Sequence, residues 1–170
     1  VSSFFYGTIQ SALFTLLAVY ATSMNFTILE ISIVTFLLAI SGAVSQFPIG
    51  KISDRYDRRK VIVISTFLAA AFALITIIVS RQMYLPEGLA TSKTWFYIFL
   101  ILFSFCSLPM FSLILAHTND YIPKEKFVAA GGGMQIIFGM GAMFGPLLCS
   151  LVMNKFGTNG FFIHLLTFHL

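Results

Sequence analysis

The sequence predicts an all-α membrane protein of six helices, on three observations. Of its 170 residues, 58% are hydrophobic and 9% charged, against roughly 45–50% and about 25% in soluble domains. The apolar residues gather into six segments, most of them near the roughly 20 residues that a helix needs to span a bilayer. Short polar stretches separate the segments, and their lysines and arginines sort into alternate loops. Mean hydropathy is +0.95. This balance excludes a disordered chain, a nucleic-acid-binding module and an ordinary water-soluble enzyme. The net charge of +4 sits at segment ends, where membrane topology accounts for it and nucleic acid is not needed.

Taken in order, each segment is too long for a strand and too uniformly apolar for a surface helix. The first, roughly 3–22, lacks a basic leader and a small-residue cleavage site, so it reads as a mature helix and not a signal peptide. The second, roughly 29–49, opens at Glu30, placed to cap a helix start. The third, roughly 61–80, follows the basic run SDRYDRRK, and the fourth, roughly 95–116, holds no charge. The fifth, roughly 128–152, is glycine-rich. The sixth, roughly 158–170, reads as a helix cut short, because the chain starts at Val1 and ends inside FFIHLLTFHL as a fragment would. Residues 1–170 therefore read as one six-helix unit.

Sidedness follows from the basic residues. The loops at 50–60 and 117–127 hold Lys51, Arg55, Arg58, Arg59, Lys60, Lys124 and Lys126, against Arg81, Lys93 and Lys155 on the other side. Seven against three places the first pair of loops in the cytoplasm. Trp95, Tyr97, Tyr20 and Tyr84 lie where interfacial anchors are expected. Asn25-Phe26-Thr27 forms a glycosylation sequon on the outer side.

Residues 50–60, GKISDRYDRRK, carry the most information. Gly50, Asp54, Arg55, Arg58 and Arg59 follow G-x-x-x-D-R-x-x-R-R in a basic loop between the second and third helices. This resembles the signature loop of major facilitator superfamily transporters, departing from it at Asp57, where glycine is usual. The residue types suit the place. Gly50 removes a side chain where helices approach. Asp54 can face a helix N-terminus, and the three arginines can bridge that carboxylate or anionic headgroups. The resemblance implies that the loop latches two six-helix halves on the cytoplasmic side. It also implies that Asp54 helps set the balance between inward-open and outward-open states.

The resemblance extends further. The uncharged fourth segment departs from the N-terminal half of many members, which carries an arginine there. That segment's end with NDYIPKEKFVAAGGGMQ is similar to the tenth-to-eleventh connection of the YcaD-like bacterial branch, and SGAVSQFPIGKISDR is similar to that branch's eighth helix. This implies helices 7–12 of a twelve-helix transporter of the cell (inner) membrane, with an N-terminal six-helix half as partner. In the fifth segment, Gly141 and Gly145 in G-x-x-x-G spacing, followed by Pro146, point to close helix packing or a pliable gate. GAMFGPLLCS also resembles the G-x-x-x-G-P element of the family's fifth helix.

Polar residues inside apolar helices are the candidates for a solute cavity. Tyr6 and Gln10 lie one turn apart on one face, Gln46 lies beside Pro48, and Gln135 lies about two turns into the fifth helix. Two readings stand open for them, a small-molecule ligand and interhelical hydrogen bonding. No acidic residue is mid-segment, so no embedded proton relay is expected here. His117 stands at a segment end, where an interfacial role is expected; His164 and His169 have no nearby carboxylate, and Cys106 and Cys149 fall in apolar runs, so neither metal nor disulfide is expected. No catalytic motif or cofactor fingerprint occurs. The resemblance implies secondary active or facilitative transport of a small solute by alternating access. The alternative is a non-transporting sensor or scaffold that retains the fold.

Overall fold

A computed structural model describes residues 1–82 and 89–169. Its helices are α1 (Ser2–Ser23), α2 (Ile28–Arg55), α3 (Arg58–Gln82), α4 (Leu89–Ser107), α5 (Met110–Asn119), α6 (Phe127–Phe156) and α7 (Gly160–His169), with a 3-10 turn at Lys124–Lys126 before α6. The described residues contain no strand. Among the described residues, five apolar helical stretches are long enough to cross a membrane, α4 and α5 together forming the fourth, while α7 is shorter. Residues 83–88, and with them the expected interfacial anchor Tyr84, lie outside the described residues.

The boundary between the second and third segments is corrected. Residues 50–60 are not an extended loop: α2 runs on to Arg55, α3 begins at Arg58, and only Tyr56 and Asp57 connect them. The side chain of Asp57 accepts a hydrogen bond from the Arg59 N–H at 3.0 Å, the interaction of a helix N-cap. Aspartate is at home in that position, so the turn closes without a glycine. The fourth segment holds as one apolar stretch, Lys93–Asn119, with a break inside it. It divides at Leu108–Pro109, because proline lacks the N–H that would meet the carbonyl one turn back. At the start of α2 the expected cap forms as a reciprocal pair. Thr27 Oγ1 accepts from the Glu30 N–H at 3.3 Å, and Glu30 Oε2 accepts from the Thr27 N–H at 2.7 Å.

Helices in a bilayer gain little from apolar burial against one another, so close packing and hydrogen bonds carry their association. Glycine provides the closest approach, between α1 and α6. A Cβ on Gly141 would collide with the Phe4 carbonyl, one on Gly145 with Thr8 and Ser11, and one on Gly7 with the Phe138 carbonyl. The predicted G-x-x-x-G face is thus pressed directly on the α1 backbone. Gly50 behaves differently: a Cβ there meets nothing within 4 Å, so within this chain it is not the site of close approach. Gly50→Ala is accordingly expected to leave thermal stability unchanged or slightly raised, since alanine is the better helix former by about 1 kcal/mol.

Between α2 and α4 two serines exchange hydrogen bonds with the opposite backbone. Ser41 donates to the Ile101 carbonyl at 2.8 Å, and Ser104 donates to the Leu38 carbonyl at 2.7 Å. Each such interhelical bond contributes about 0.6 kcal/mol.

The two ends of the bundle are closed by different chemistry. At one end Tyr20, Phe26, Phe96, Phe161 and Phe162 interlock, with Tyr20 centroids 5.1 Å from both Phe161 and Phe162. Tyr20 is fully buried there, which corrects its assignment as an interfacial anchor. Trp95, by contrast, stays half-exposed and stacks on Phe99. The same end carries the Lys93–Glu30 ion pair at 2.6 Å and the Ser80–Asn159 hydrogen bond at 3.1 Å. The opposite end carries the Tyr56–Asp57 turn and the α5–α6 connection, joined by Arg58 and Asp120.

Candidate functional site

Four polar residues singled out from the sequence converge on one depression. Tyr6 and Gln10 come from α1, Gln46 from α2 and Gln135 from α6, and together they line a cavity of about 490 Å³. Ser11, Phe14, Leu108, Phe111, Ser112, Phe138 and Ala142 complete its wall. The lining comes from α1, α2, the α4–α5 break, α5 and α6, and none of it from α3 or α7. Gln46 and Gln135 are exposed, so the depression opens on the face of the bundle.

Its floor is aromatic. Phe111 and Phe138 meet edge to face at 5.2 Å, and the Tyr6 ring lies 6.0 Å from Phe138 and 6.4 Å from Phe111. Tyr6 is buried, and its hydroxyl donates to the Leu108 carbonyl at 2.8 Å. That bond joins α1 to the break between α4 and α5. The three glutamines bring donors and acceptors and no fixed charge to the same lining. No charged side chain lines the wall. Such a surface suits uncharged polar groups attached to an apolar body.

Behind Tyr6 a second cavity of about 400 Å³ lies among α1, α3, α5 and α7. Its lining is mostly apolar, with Ile62, Met110, Ile114 and Phe168 prominent. Buried His169 shares a 3.0 Å hydrogen bond with Ser107 beside this cavity.

At the Tyr56–Asp57 turn, Arg58 holds two carboxylates at once. Its Nη2 lies 2.8 Å from Asp54 Oδ1, and its Nε lies 2.8 Å from Asp120 Oδ2. The first pair joins the last turn of α2 to the first turn of α3. The second ties both to the end of α5. Arg59 adds a cation–π contact over Tyr121, 5.6 Å from the ring centroid. Both carboxylates are exposed and Arg58 is partly so, and such surface pairs contribute little stability, about 0–1 kcal/mol per pair. Their weakness makes them easy to break and re-form. Arg55 ends α2, and Gly50 lies on the same helix one turn before Asp54.

The pairing of Asp120 with Arg58 and the place of Ser112, Phe111 and Phe138 in the lining emerge only from the fold. A signal existed for Asp120, an acid standing in the other basic loop. Ser112, Phe111 and Phe138 were indistinguishable from the surrounding apolar run.

An apolar helical bundle with an uncharged polar depression on one face and an arginine-bridged turn at one end defines a multi-pass membrane protein. More narrowly, the chain belongs to the Major Facilitator Superfamily, whose family model matches residues 1–169. It is similar to an uncharacterised MFS-type transporter of Yersinia enterocolitica, 25% identical over 157 residues, covering 92% of this chain and 37% of that protein. It is also similar to the uncharacterised MFS-type transporter YfkF of Bacillus subtilis, at 25% identity over 94% of this chain and 38% of that protein. The likeness to the uncharacterised MFS-type transporter YcaD of Escherichia fergusonii is 20% identity, over 92% of this chain and 37% of the relative. The chain thus spans a little over a third of the length of these relatives. No solved structure matches it significantly.

Proposed function

We propose that this chain supplies one six-helix half, helices 7–12, of a transporter that moves a small, mainly uncharged solute by alternating access. The depression lined by Gln10, Gln46, Ser112 and Gln135 is its share of a central binding site, closed by the other half. The observation that carries the reading is the convergence of the candidate polar residues from α1, α2 and α6 on one open depression. In a bilayer, polar side chains turned to lipid are costly, so an open polar face calls for water, solute or protein against it. Family membership supports transport as the activity.

In this reading the Tyr56–Asp57 turn and the α5–α6 connection lie in the cytoplasm, as their excess of basic residues favours. Asp54, Arg58 and Asp120 form a charge cluster that holds this end in one state of the cycle. Gly50 and Arg55 face the other half or the lipid headgroups. Gly141, Gly145 and Pro146 keep α6 closely packed on α1 beside the site.

The test uses the full-length transporter in proteoliposomes. Asp54→Asn is expected to leave folding intact and to lower turnover about fivefold or more, an effect of about 1 kcal/mol on the balance of states. Unchanged transport together with unchanged accessibility of the two faces would overturn the role given to Asp54. Solute binding without any transport in the native protein would favour a sensor instead.

A further inference from the structure

We propose that the outer face of α3, headed by Arg59 and Lys60, is a binding site for an anionic phospholipid. In the transporter reading, on which this rests, the other half closes over the depression. α3 contributes no residue to that depression, so its outer face is left to the bilayer.

Charge at this end of the bundle is unbalanced. Over residues 50–60 and 117–127, seven lysines and arginines stand against four carboxylates. Two of those carboxylates, Asp54 and Asp120, are taken by Arg58, and Asp57 accepts from the Arg59 N–H. Arg59 and Lys60 are both exposed, and among the described residues no ion pair occupies either of them. Arg59 lies over the Tyr121 ring, which holds its guanidinium beside the α5–α6 connection. That connection brings Lys124 and Lys126, also exposed, to the same end. Cations without carboxylate partners at a membrane surface attract anionic headgroups.

Beyond these cations α3 matches the rest of a phospholipid. Lys60, Ile64, Phe67, Ala71 and Leu74 recur at helical spacing and all are exposed, whereas Val61, Ser65, Ala69 and Ala73 on the inner face are buried. From Lys60 to Leu74 the ridge measures about 21 Å, against about 15 Å for one leaflet's share of the hydrocarbon core. An acyl chain lies on Ile64 and Phe67 while its phosphate meets Arg59 and Lys60. Apolar contact does not choose among lipids, because lipid tails are as apolar as the ridge. The two cations supply the choice. A guanidinium grips phosphate oxygens through paired N–H groups, and the Lys60 ammonium adds a point charge. A zwitterionic headgroup brings its own cation and gains less from both. The class selected is therefore phospholipid of net negative charge, such as phosphatidylglycerol.

The experiment titrates full-length protein in a neutral detergent with fluorescent phosphatidylglycerol, and with phosphatidylcholine carrying the same chains and label. Two cations at about a factor of five each give an expected preference for phosphatidylglycerol of about 25-fold. Arg59→Gln with Lys60→Gln is expected to abolish it. Arg81→Gln with Lys155→Gln removes the same charge from the opposite end and is expected to leave it intact. Should the first pair fail to fold, Lys60→Glu changes a single exposed side chain and is expected to lower the preference about fivefold or more. Excess inorganic phosphate is expected not to displace the lipid. Equal affinity for the two lipids overturns the site. So does equal loss in the Arg81 and Lys155 control, which would show diffuse charge, or displacement by phosphate, which would show a site for a free anion. Gln135→Cys separates this from the transporter reading. Reaction from both faces of the membrane without a lipid preference leaves the transporter standing alone, and reaction from one face with the preference intact leaves the lipid site standing alone.

Discussion

Gly141→Leu is expected to abolish folded protein, the largest effect of any single change considered for this chain. The added side chain meets the Phe4 carbonyl and Cα, which are backbone and cannot rotate away. Overpacking a well-packed site costs about 1–3 kcal/mol and occasionally more. Here the α1–α6 contact must open along its whole length, since Gly145 and Gly7 keep the same two backbones close on either side. The measurement is the yield of monodisperse full-length protein in detergent and its thermal unfolding. Gly139→Ala, two residues away on the same helix, is the control: a Cβ there meets nothing within 4 Å. It is expected to leave stability unchanged or slightly improved. Equal tolerance of both changes would show that α1 and α6 do not pack as described.

The second large effect is on transport. Replacing Gln10 and Gln135 together by alanine is expected to lower kcat/KM for the solute about thirtyfold with folding intact. Each carboxamide lost removes about 1 kcal/mol of hydrogen bonding to a polar ligand, and two remove about 2 kcal/mol. Both side chains stand at the open depression and neither is buried, so a folding defect is not expected from their truncation. Uptake into proteoliposomes at several solute concentrations separates a loss of binding from a loss of turnover. Undiminished kcat/KM would reassign the glutamines to packing between the halves.

Much of this was legible because a bilayer punishes misplaced polar groups. Tyr6, Gln10, Gln46 and Gln135 stood out as polar residues in apolar helices, and three different helices bring them to one place. Gly141 and Gly145 were legible for the same reason in reverse, because a bilayer leaves packing by small residues as a main source of helix association. Other features were hidden by that same apolar background. Pro109 lies within a continuous hydrophobic run, so hydropathy passed over a break that the missing N–H produces. Tyr20 has the composition of an interfacial anchor, but the rings of Phe161 and Phe162 enclose it. The end of α2 lies beyond the point where hydropathy falls, because a helix leaving the membrane keeps its hydrogen bonds through Ser53, Asp54 and Arg55. Asp120 could be joined to Arg58 only in three dimensions, across 62 residues of chain.

Alternating access at the depression is the claim on which the rest depends, and accessibility of one engineered thiol tests it most directly. Gln135→Cys in full-length protein lacking Cys106 and Cys149 is to be treated with a membrane-impermeant maleimide, first from one face of the membrane and then from the other. Phe67→Cys, on an exposed apolar stretch of α3, serves as the unreactive control. The thiol at position 135 is expected to react from both faces, with Asp54→Asn shifting the ratio between them. Reaction from one face alone, unaltered by Asp54→Asn, would contradict it.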